Sequence, residues 1–316
     1  MKNKISVIGL GYVGLTTAVC FSRLGYEVVG VDINPERIAE IKIGKNPLPK
    51  IQKLEGHLKE FPFEVYLDGH EKAIIESDIT FVCIETPTRE NGSINLTPIK
   101  EACRTIGKCI KEKRKVSLDK HLIVIRSTIF PGSLEILKKE IEKSSGKECD
   151  KDFDLAVNPE FLREIYAIDD FFNPCYVVVG ADNQEVGEKV MGYYKLIPAK
   201  KFIVNKELAQ MIKYVNNSWH SCKVVFTNEI GAICVAAGVN KEELMKLFCE
   251  DTKLNISPYY MKPGKAYGGN CLPKDLAVLQ KKSKGLVVKV PLINSISKSN
   301  KIQEERDGKR EMSEVQ

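Results

Sequence analysis

Several patterns that define specialised classes of protein are missing from this sequence. None of the ten cysteines forms a C-x-x-C pair, and no histidine stands near one at the spacing of zinc ligands. Some lie within apolar runs, as in Val19-Cys20-Phe21 and Val82-Cys83-Ile84, where cysteine behaves as a small buried hydrophobe. The sequence therefore predicts no disulfide framework and no metal site, and it favours a reducing cytoplasm.

Long apolar runs and a strong charge bias are missing as well. No run approaches the ~18 apolar residues of a membrane span, so we expect no membrane association. Lys2 and Lys4 precede an apolar stretch as in a signal peptide, but glycine spacing explains that stretch better. The 48 Lys and Arg against 42 Asp and Glu leave a net charge of +6. This small excess suits an anionic ligand as well as a solvated basic surface, and it does not indicate nucleic acid.

The remaining composition is that of an ordinary globular protein. The chain has 316 residues, of which 43% are hydrophobic and 28% charged, with a mean hydropathy of −0.19. These values exclude disorder, collagen and coiled coil as the whole architecture. The length exceeds that at which a single hydrophobic core stops growing, which predicts two domains.

The first informative motif is a glycine-rich segment between a predicted strand and a predicted helix. The strand covers Lys4–Ile8, and the helix covers residues 15–24. Between them, Gly9 permits a tight turn, Gly11 lets the backbone approach a pyrophosphate, and Gly14 lets helix and strand pack closely. The helix N-terminus offers unpaired N–H groups to the phosphates, so the context is that of a dinucleotide site.

An acidic residue follows about 20 residues later, as the dinucleotide fingerprint requires. Asp32 ends the second predicted strand, which covers residues 27–31. Its carboxylate can accept hydrogen bonds from both ribose hydroxyls and would repel a 2′-phosphate. The sequence therefore favours NAD over NADP.

Alternation of strands and helices continues through the first two thirds of the chain. Further strands are predicted over residues 79–85, 121–127, 153–157, 176–180 and 201–204. This alternation predicts an α/β fold, a Rossmann-like, doubly wound and mostly parallel sheet, in a domain spanning residues 1–205. Ligands of such sheets bind at the carboxyl ends of the strands, where Thr86, Thr128 and Glu160 fall.

A helical domain is predicted over residues 206–295, followed by a charged and disordered tail over 296–316. Its longest helix, over residues 207–237, contains no proline, and shorter helices follow over 241–249 and 274–282. One face of the long helix carries Lys213, Asn217, His220 and Asn228 as a polar stripe. Because the neighbouring faces are apolar and look buried, a ligand-lining stripe is preferred over a solvated face.

A third motif runs from Tyr267 to Asp275 and contains two adjacent glycines. Pro273 suits the first turn of a helix, which places Cys271 at a helix N-terminus with Lys274 nearby. Both features lower a thiol pKa towards the reactive thiolate. Of the ten cysteines, this one is therefore predicted to be a nucleophile.

Together these motifs resemble the nucleotide-sugar 6-dehydrogenases, the family of UDP-glucose and GDP-mannose dehydrogenases. The motifs are residues 9–15 (GLGYVGL), 126–132 (RSTIFPG), 158–164 (NPEFLRE), 211–229 (MIKYVNNSWHSCKVVFTNE) and 268–275 (GGNCLPKD). The resemblance covers roughly residues 1–303. Residues 254–264 and the pair Trp219-His220 resemble the GDP-mannose branch more than the UDP-glucose branch.

The resemblance implies a four-electron oxidation of a sugar 6-hydroxyl to the uronate, with two NAD reduced. It implies that Cys271 captures the intermediate aldehyde as a thiohemiacetal, which is oxidised to a thioester and hydrolysed. Lys213 and Asn217 would stabilise the oxyanion. The residues implied in proton transfer and in ordering the water are Glu160, Glu164, Asp275 and Thr128.

The resemblance also implies binding roles. Besides the three glycines, the residues implied for NAD are Tyr12, Val13, Asp32, Arg37, Thr86, Thr128 and Lys274. Those implied for the sugar nucleotide are Glu164, Lys213, Asn217, His220 and Asn228, with Tyr259, Tyr260, Lys262 and Gly268 supplied by the partner subunit. The long helix would be the seam of this homodimer.

Three departures from the family pattern stand out. Glu85 replaces the small glycine of a V-G-T-P turn, and an extra carboxylate there is expected to weaken NAD binding. Lys265-Ala266-Tyr267 replaces the F-A-F that is typical of the GDP-mannose branch. Residues 304–316 match nothing in the family, which carries a third, C-terminal domain, so we expect a truncated chain.

The sequence leaves several functions open. The preferred one is oxidation of GDP-mannose, and UDP-glucose is the alternative substrate. A truncated remnant that dimerises and binds NAD without catalysis is another alternative. A simpler NAD-linked dehydrogenase without a covalent intermediate would leave residues 268–275 unexplained.

Overall fold

The computed structural model describes residues 4–112, 120–257, 259, 266–268 and 271–314. The chain forms two compact units, Met1–Val215 and Asn216–Gln316. The boundary falls within one long helix that begins in the first unit and ends in the second.

One sheet of eight strands organises the first unit. Its strands are β1 (Lys4–Ile8), β2 (Glu27–Asp32), β3 (Glu64–Leu67), β4 (Ile79–Val82), β5 (His121–Ile125), β6 (Phe153–Val157), β7 (Tyr176–Gly180) and β8 (Lys200–Val204). Their order is β3-β2-β1-β4-β5-β6-β7-β8. All neighbouring pairs are parallel except β6 and β7, which pair antiparallel. The predicted Rossmann-like, mostly parallel sheet is confirmed.

Helices cover both faces of this sheet. They are α1 (Tyr12–Arg23), α2 (Pro35–Lys42), α3 (Leu54–Glu60), α4 (His70–Ile75), α5 (Thr97–Glu112), α6 (Ser133–Ser145), α7 (Ala167–Phe172) and α8 (Gln184–Gly192). Val7 of β1 belongs to a core cluster with Leu15 of α1, whereas its neighbour Ile8 belongs to a second cluster with Ile106 of α5. Successive side chains of a strand thus enter opposite cores, which explains why the central strands are mostly apolar.

Two strands end earlier than the sequence predicts. β4 ends at Val82 and β5 at Ile125, three and two residues before the predicted ends. Both strands end where the amides of Arg126 and Ser127 donate hydrogen bonds to the same carbonyl oxygen, that of Val82. Two donors on one acceptor end the regular ladder, so the chain leaves the sheet and forms the loops that carry the candidate site.

The second unit is helical. Its helices are the remainder of α9 (Lys206–Ala236), then α10 (Lys241–Glu250), α11 (Cys271–Gly285) and α12 (Pro291–Glu314). Ile233, Val290 and Ile293 form a small buried core against which Phe226 and Leu276 pack. The helical character predicted for this region and the long α9 are as expected.

The structure differs from the expected disordered tail. Residues 296–314 continue α12, which begins with Pro291 at its first position. The buried carboxylate of Glu229 accepts hydrogen bonds from the amides of Leu292 and Ile293, at 2.7 and 2.9 Å, and so caps the helix. The tail is poor in apolar groups, but a capped and packed first turn removes the cost of starting a helix.

Candidate active site

The glycine-rich turn has the geometry that a dinucleotide needs. Gly9 has φ +89°, and a Cβ placed there would lie 2.8 Å from the carbonyl oxygen of Cys83. A Cβ on Gly14 would lie 1.7 Å from the carbonyl oxygen of Gly9. Neither position accepts a side chain, whereas the space beside Gly11 is open apart from one carboxylate oxygen at 3.6 Å. The N-terminus of α1 thus presents backbone that a pyrophosphate can approach.

Asp32 fastens this turn to the end of β2. Its Oδ2 accepts hydrogen bonds from the amide of Leu10 at 2.7 Å and from Nη1 of Arg37 at 2.9 Å. Its Oδ1 accepts one from the amide of Asn34 at 2.8 Å. The carboxylate is buried and holds the glycine turn in place. The hydrogen bond from Leu10 could not be predicted from the sequence, because the dinucleotide fingerprint indicates only a contact between Asp32 and the ribose.

The loops after β4 and β5 are joined at the same edge of the sheet. Thr86 Oγ1 donates a hydrogen bond to the carbonyl oxygen of Thr128 at 2.7 Å. Glu85 precedes Thr86, and its carboxylate is the group that lies beside Gly11. The structure therefore brings Thr86 and Thr128 together at the end of the sheet to which the glycine turn also belongs.

A buried ion pair lies at the end of β6. Nζ of Lys213, on α9, is 2.6 Å from Oε1 of Glu160, and Oε2 of Glu160 accepts a hydrogen bond from the amide of Leu162 at 2.7 Å. The side chains are only 12% and 7% exposed. An ammonium has three donors, and Glu160 accepts one of those of Lys213.

Tyr12, the first residue of α1, carries a buried hydroxyl that is influenced by the charge of Glu160. Its hydroxyl is buried and has no hydrogen-bond partner within the described part of the chain. Burial, followed by the carboxylates of Glu160, Asp170 and Glu164, raises the pKa of Tyr12 well above its usual value. The phenol is therefore neutral and remains a donor for a ligand or a water. Glu164 itself is more than half exposed, and its carboxylate lies 3.5 Å from Nζ of Lys50 rather than against Lys213.

A buried arginine beneath the site was not predicted. Arg126 donates through Nε to Thr17 Oγ1 at 3.0 Å, and through Nη1 to the hydroxyl of Tyr194 at 3.1 Å and to Oδ1 of Asn158. Tyr194 also donates to Asn158 Oδ1 at 2.6 Å. This network ties α1 to the strand end that leads to Glu160. The signal available in the sequence was the presence of Arg126 and Asn158 in two motifs at strand ends.

The remaining stripe residues lie on α9 in the second unit. Asn217, His220 and Asn228 are exposed, and Asn228 borders a cavity of about 390 Å³ between α9 and α10. The expectation that apolar neighbours of the stripe are buried is wrong for the single chain, because Trp219 and Val225 are 43% and 44% exposed.

The third motif begins α11, whose first residue is Cys271, three residues before the predicted start. The segment before it is held by α12: Asp307 Oδ2 accepts from the amide of Ala266 at 2.8 Å. Asn300 accepts from the amide of Tyr267 and donates to its carbonyl oxygen, both at 2.9 Å. The side chains of Cys271, Lys274 and Asp275, and residues Tyr260 and Lys262, lie outside the described residues.

Two further positions of the predicted substrate site are described. Tyr259 is 61% exposed, and a Cβ on Gly268 would meet no atom within 4 Å.

Across the ranges that the structure describes, no three His, Cys, Asp or Glu residues are grouped so as to hold a metal ion. None of the described helices is both long and apolar enough to cross a membrane.

Comparison with known proteins finds two family models along the chain. Residues 3–197 match the NAD binding domain of the UDP-glucose/GDP-mannose dehydrogenase family, and residues 207–302 match its central domain. A GDP-mannose 6-dehydrogenase from Pseudomonas aeruginosa is 41% identical over 301 residues, which cover 94% of this chain and 68% of the relative. A UDP-glucose 6-dehydrogenase from Haloferax volcanii is 33% identical, over 87% of this chain and 64% of the relative.

Solved structures agree with these matches. A ternary complex of GDP-mannose dehydrogenase from Pseudomonas aeruginosa has a TM-score of 0.91 and 40% identity, covering 96% of this chain and 69% of the other. A UDP-glucose dehydrogenase from Pyrobaculum islandicum has a TM-score of 0.75 and 29% identity, covering 96% and 68%.

Proposed function

This chain belongs to the UDP-glucose/GDP-mannose dehydrogenase family of NAD-dependent oxidoreductases, and on that premise we propose that it oxidises the 6-hydroxyl of a nucleotide sugar to the carboxylate. The observation that carries the proposal is the buried Glu160–Lys213 ion pair at the end of β6. It places a charged donor at the carboxyl edge of the sheet to which the glycine turn also belongs, where ligands of such folds bind.

The cofactor site fits a dinucleotide. Gly9 and Gly14 leave no room for side chains, Gly11 is open, and Asp32 is fixed with Arg37 beside it. Gly9, Gly11 and Gly14, with the backbone at Tyr12 and Val13, would hold the pyrophosphate, and Asp32 would accept from the ribose hydroxyls. Thr86, Thr128 and Lys274 complete the proposed NAD site. When bound, NAD supplies the hydride acceptor for both oxidations.

We propose GDP-mannose as the substrate, with UDP-glucose as the alternative. Six GDP-mannose 6-dehydrogenases are 40% to 42% identical to this chain, and two UDP-glucose 6-dehydrogenases are 33% and 30% identical. His220 and Asn228 on α9, with Glu164, are proposed contacts of the sugar nucleotide.

Cys271 is the proposed nucleophile. Its place as the first residue of α11 supports this role, because a helix N-terminus stabilises a thiolate. After the alcohol has lost its first two electrons, the sulfur adds to the aldehyde carbon to form a thiohemiacetal. Loss of two further electrons gives a thioester. Water then breaks the carbon–sulfur bond, releasing the carboxylate and restoring the thiol. Thr128 and Asp275 are proposed to order that water.

Lys213 and Asn217 are the proposed donors to the oxyanion of these intermediates. The ion pair with Glu160 supports this role for Lys213, because the contact of 2.6 Å fixes the direction of the amine. Glu160 and Glu164 are the proposed acceptors for protons released at the sugar. The exposure of Glu164 supports such a role, since an exposed carboxylate exchanges protons readily with solvent.

A homodimer through α9 is the proposed assembly. Large apolar side chains along this helix are exposed in the single chain: Trp219 is 43% exposed, Val224 60% and Val235 66%. Large apolar side chains left exposed on one helix support an interaction surface there. Tyr259, Tyr260, Lys262 and Gly268 are the proposed contribution of the second subunit. All nine cysteines with described side chains are free thiols, which supports a cytoplasmic location.

Parallel assays with GDP-mannose and UDP-glucose test the proposal. Purified chain is incubated with NAD and each sugar nucleotide, NADH is followed by absorbance, and the sugar product is identified by mass spectrometry. Uronate from GDP-mannose at a clearly higher kcat/KM supports the proposed substrate. A dimer that binds NAD and forms no NADH with either sugar supports the non-catalytic alternative instead.

A further inference from the structure

Glu85 places a carboxylate at the open side of the glycine turn. The residue lies three positions beyond the end of β4, and its Oε1 lies 3.6 Å from the position that a Cβ of Gly11 would take. Among the described atoms outside α1 and the neighbours of Gly11, only Glu85 Oε1 lies within 4 Å of that position. The carboxylate therefore borders the space through which a pyrophosphate would approach Gly11.

The carboxylate of Glu85 has no ion-pair partner within the described part of the chain. Its side chain is exposed, and no ion pair or hydrogen bond to it occurs among the residues that the structure describes. Among the proposed site cations whose side chains the structure describes, Arg37 is paired with Asp32 and Lys213 with Glu160. A negative charge close to the dinucleotide site thus acts on whatever binds there.

We propose that Glu85 makes the cofactor site discriminate between oxidised and reduced dinucleotide, in favour of the oxidised form. Both forms carry two phosphate charges, but the oxidised nicotinamide ring is a cation and the reduced ring is neutral. The reduced form is therefore the more negative of the two, and a nearby carboxylate repels it more strongly. The inference rests on the proposed function only in taking the glycine turn as the NAD site.

The consequence concerns turnover. A reaction that uses two oxidised cofactors per sugar must release one reduced cofactor while the sugar is still bound. Weaker binding of the reduced form speeds this exchange. The cost is weaker binding of the dinucleotide as a whole, since its phosphates are repelled as well.

The test compares dissociation constants of NAD, NADH and ADP-ribose by calorimetry at low ionic strength, for the wild type, Glu85→Gln and Glu85→Gly. ADP-ribose lacks the nicotinamide and shares the more negative charge of NADH, so it separates charge from ring shape. Glu90→Gln is the matched control, because Glu90 is an exposed glutamate in the same loop. We expect NADH and ADP-ribose to bind roughly three- to tenfold more tightly to both Glu85 variants, with a smaller gain for NAD.

Equal gains for NAD and NADH would overturn the discrimination, and no gain in either Glu85 variant would overturn the role of the carboxylate altogether. Using both an amide and a glycine replacement guards against a local distortion by one of them. A wild type that binds NAD but forms no NADH with either sugar would contradict the proposed function and leave this test intact. Failure of the wild type and of both Glu85 variants to bind any dinucleotide would overturn the inference together with the cofactor site.

Discussion

Lys213 and Glu160 form a buried ion pair that joins α9 to the end of β6, with Nζ 2.6 Å from Oε1. Taking both charges out of water has a cost that their attraction offsets only in part, so such a pair is weak as a stabilising device. A pair of hydrophobic residues of similar volume would stabilise the fold at least as well. Its presence at the carboxyl edge of a ligand-binding sheet is better explained by chemistry than by stability.

Replacing one partner of this pair should separate stability from function. Lys213→Met leaves the Glu160 carboxylate buried without its counter-ion and should lower the free energy of unfolding by about 3–5 kcal/mol. The double variant Lys213→Met with Glu160→Leu should recover most of that loss in urea denaturation and still form no NADH. A double variant that recovers both stability and turnover would show that the pair is structural only.

Asp32 should determine which dinucleotide binds. Asp32→Ala removes the acceptor for the ribose and for the amide of Leu10, so affinity for NAD should fall by at least tenfold, on the scale of lost hydrogen bonds to a charged group. It also frees Arg37 to meet a 2′-phosphate, so the ratio of NADP to NAD affinity should rise. Adding Arg37→Met should remove that rise. Calorimetric titration with both dinucleotides checks this, and an unchanged ratio in Asp32→Ala would mean that Asp32 does not contact the ribose.

The contacts from α12 should control the reactivity of Cys271. Asn300→Ala removes both hydrogen bonds to Tyr267, so the segment before Cys271 should loosen and the alkylation rate of its thiol should change several-fold, on the scale of two lost hydrogen bonds. Lys301→Ala, on the exposed surface of the same helix, is the control. Rates come from iodoacetamide labelling and peptide mass spectrometry at pH 8. Identical rates in Asn300→Ala and the wild type would rule out this bracing role.

Buried thiols provide an internal reference in the same experiment. Burial raises the pKa of Cys83 and of Cys103 to about 12. Almost no thiolate is present on either at pH 8, so neither should be alkylated in the folded protein, whereas the exposed Cys175 and Cys249 should react. Modification of Cys83 at a rate like that of Cys249 would contradict the packing described for the sheet.

Cys83 and the buried Tyr194 predict how the stability of the fold depends on alkaline pH. Burial raises the pKa of Cys83 and of Tyr194 to about 12, above their ordinary values of 9.0 and 10.0. The folded state therefore holds these protons more tightly than the unfolded state. Their contribution is complete below pH 9 and is lost as the pH rises towards 12, by at most about 1.4 kcal/mol per pH unit for each group. Urea unfolding between pH 8 and 11 should show a shallower loss in Cys83→Ala with Tyr194→Phe, and an unchanged slope would contradict this assignment.

The parts of the fold that could be predicted are those with strong local signals. β1, β6 and β7 are mostly apolar and lie in the strand–helix alternation, and their predicted bounds match the structure. β3 was missed because its four residues, Glu64–Leu67, form a short strand at the sheet edge with only Val65 buried. A short half-exposed strand has little composition to distinguish it from a loop.

The parts that could not be predicted depend on contacts between residues distant in sequence. Arg126 meets Thr17, Asn158 and Tyr194, which are separated from it by 109, 32 and 68 positions. The composition of the charged C-terminal residues predicts disorder. They nevertheless belong to α12, whose first turn is capped by Glu229, 63 positions before Leu292. Such partners become visible only after the sheet and helices have been placed.

The stoichiometry of NADH formed per sugar nucleotide consumed tests the central claim most directly. The chain is given a limiting amount of GDP-mannose with excess NAD, in the wild type and in Cys271→Ala. The four-electron mechanism through Cys271 predicts two NADH per sugar for the wild type, and for Cys271→Ala intact NAD binding with loss of uronate formation. One NADH per sugar with free aldehyde as the product, or two NADH from the Cys271→Ala variant, would contradict it.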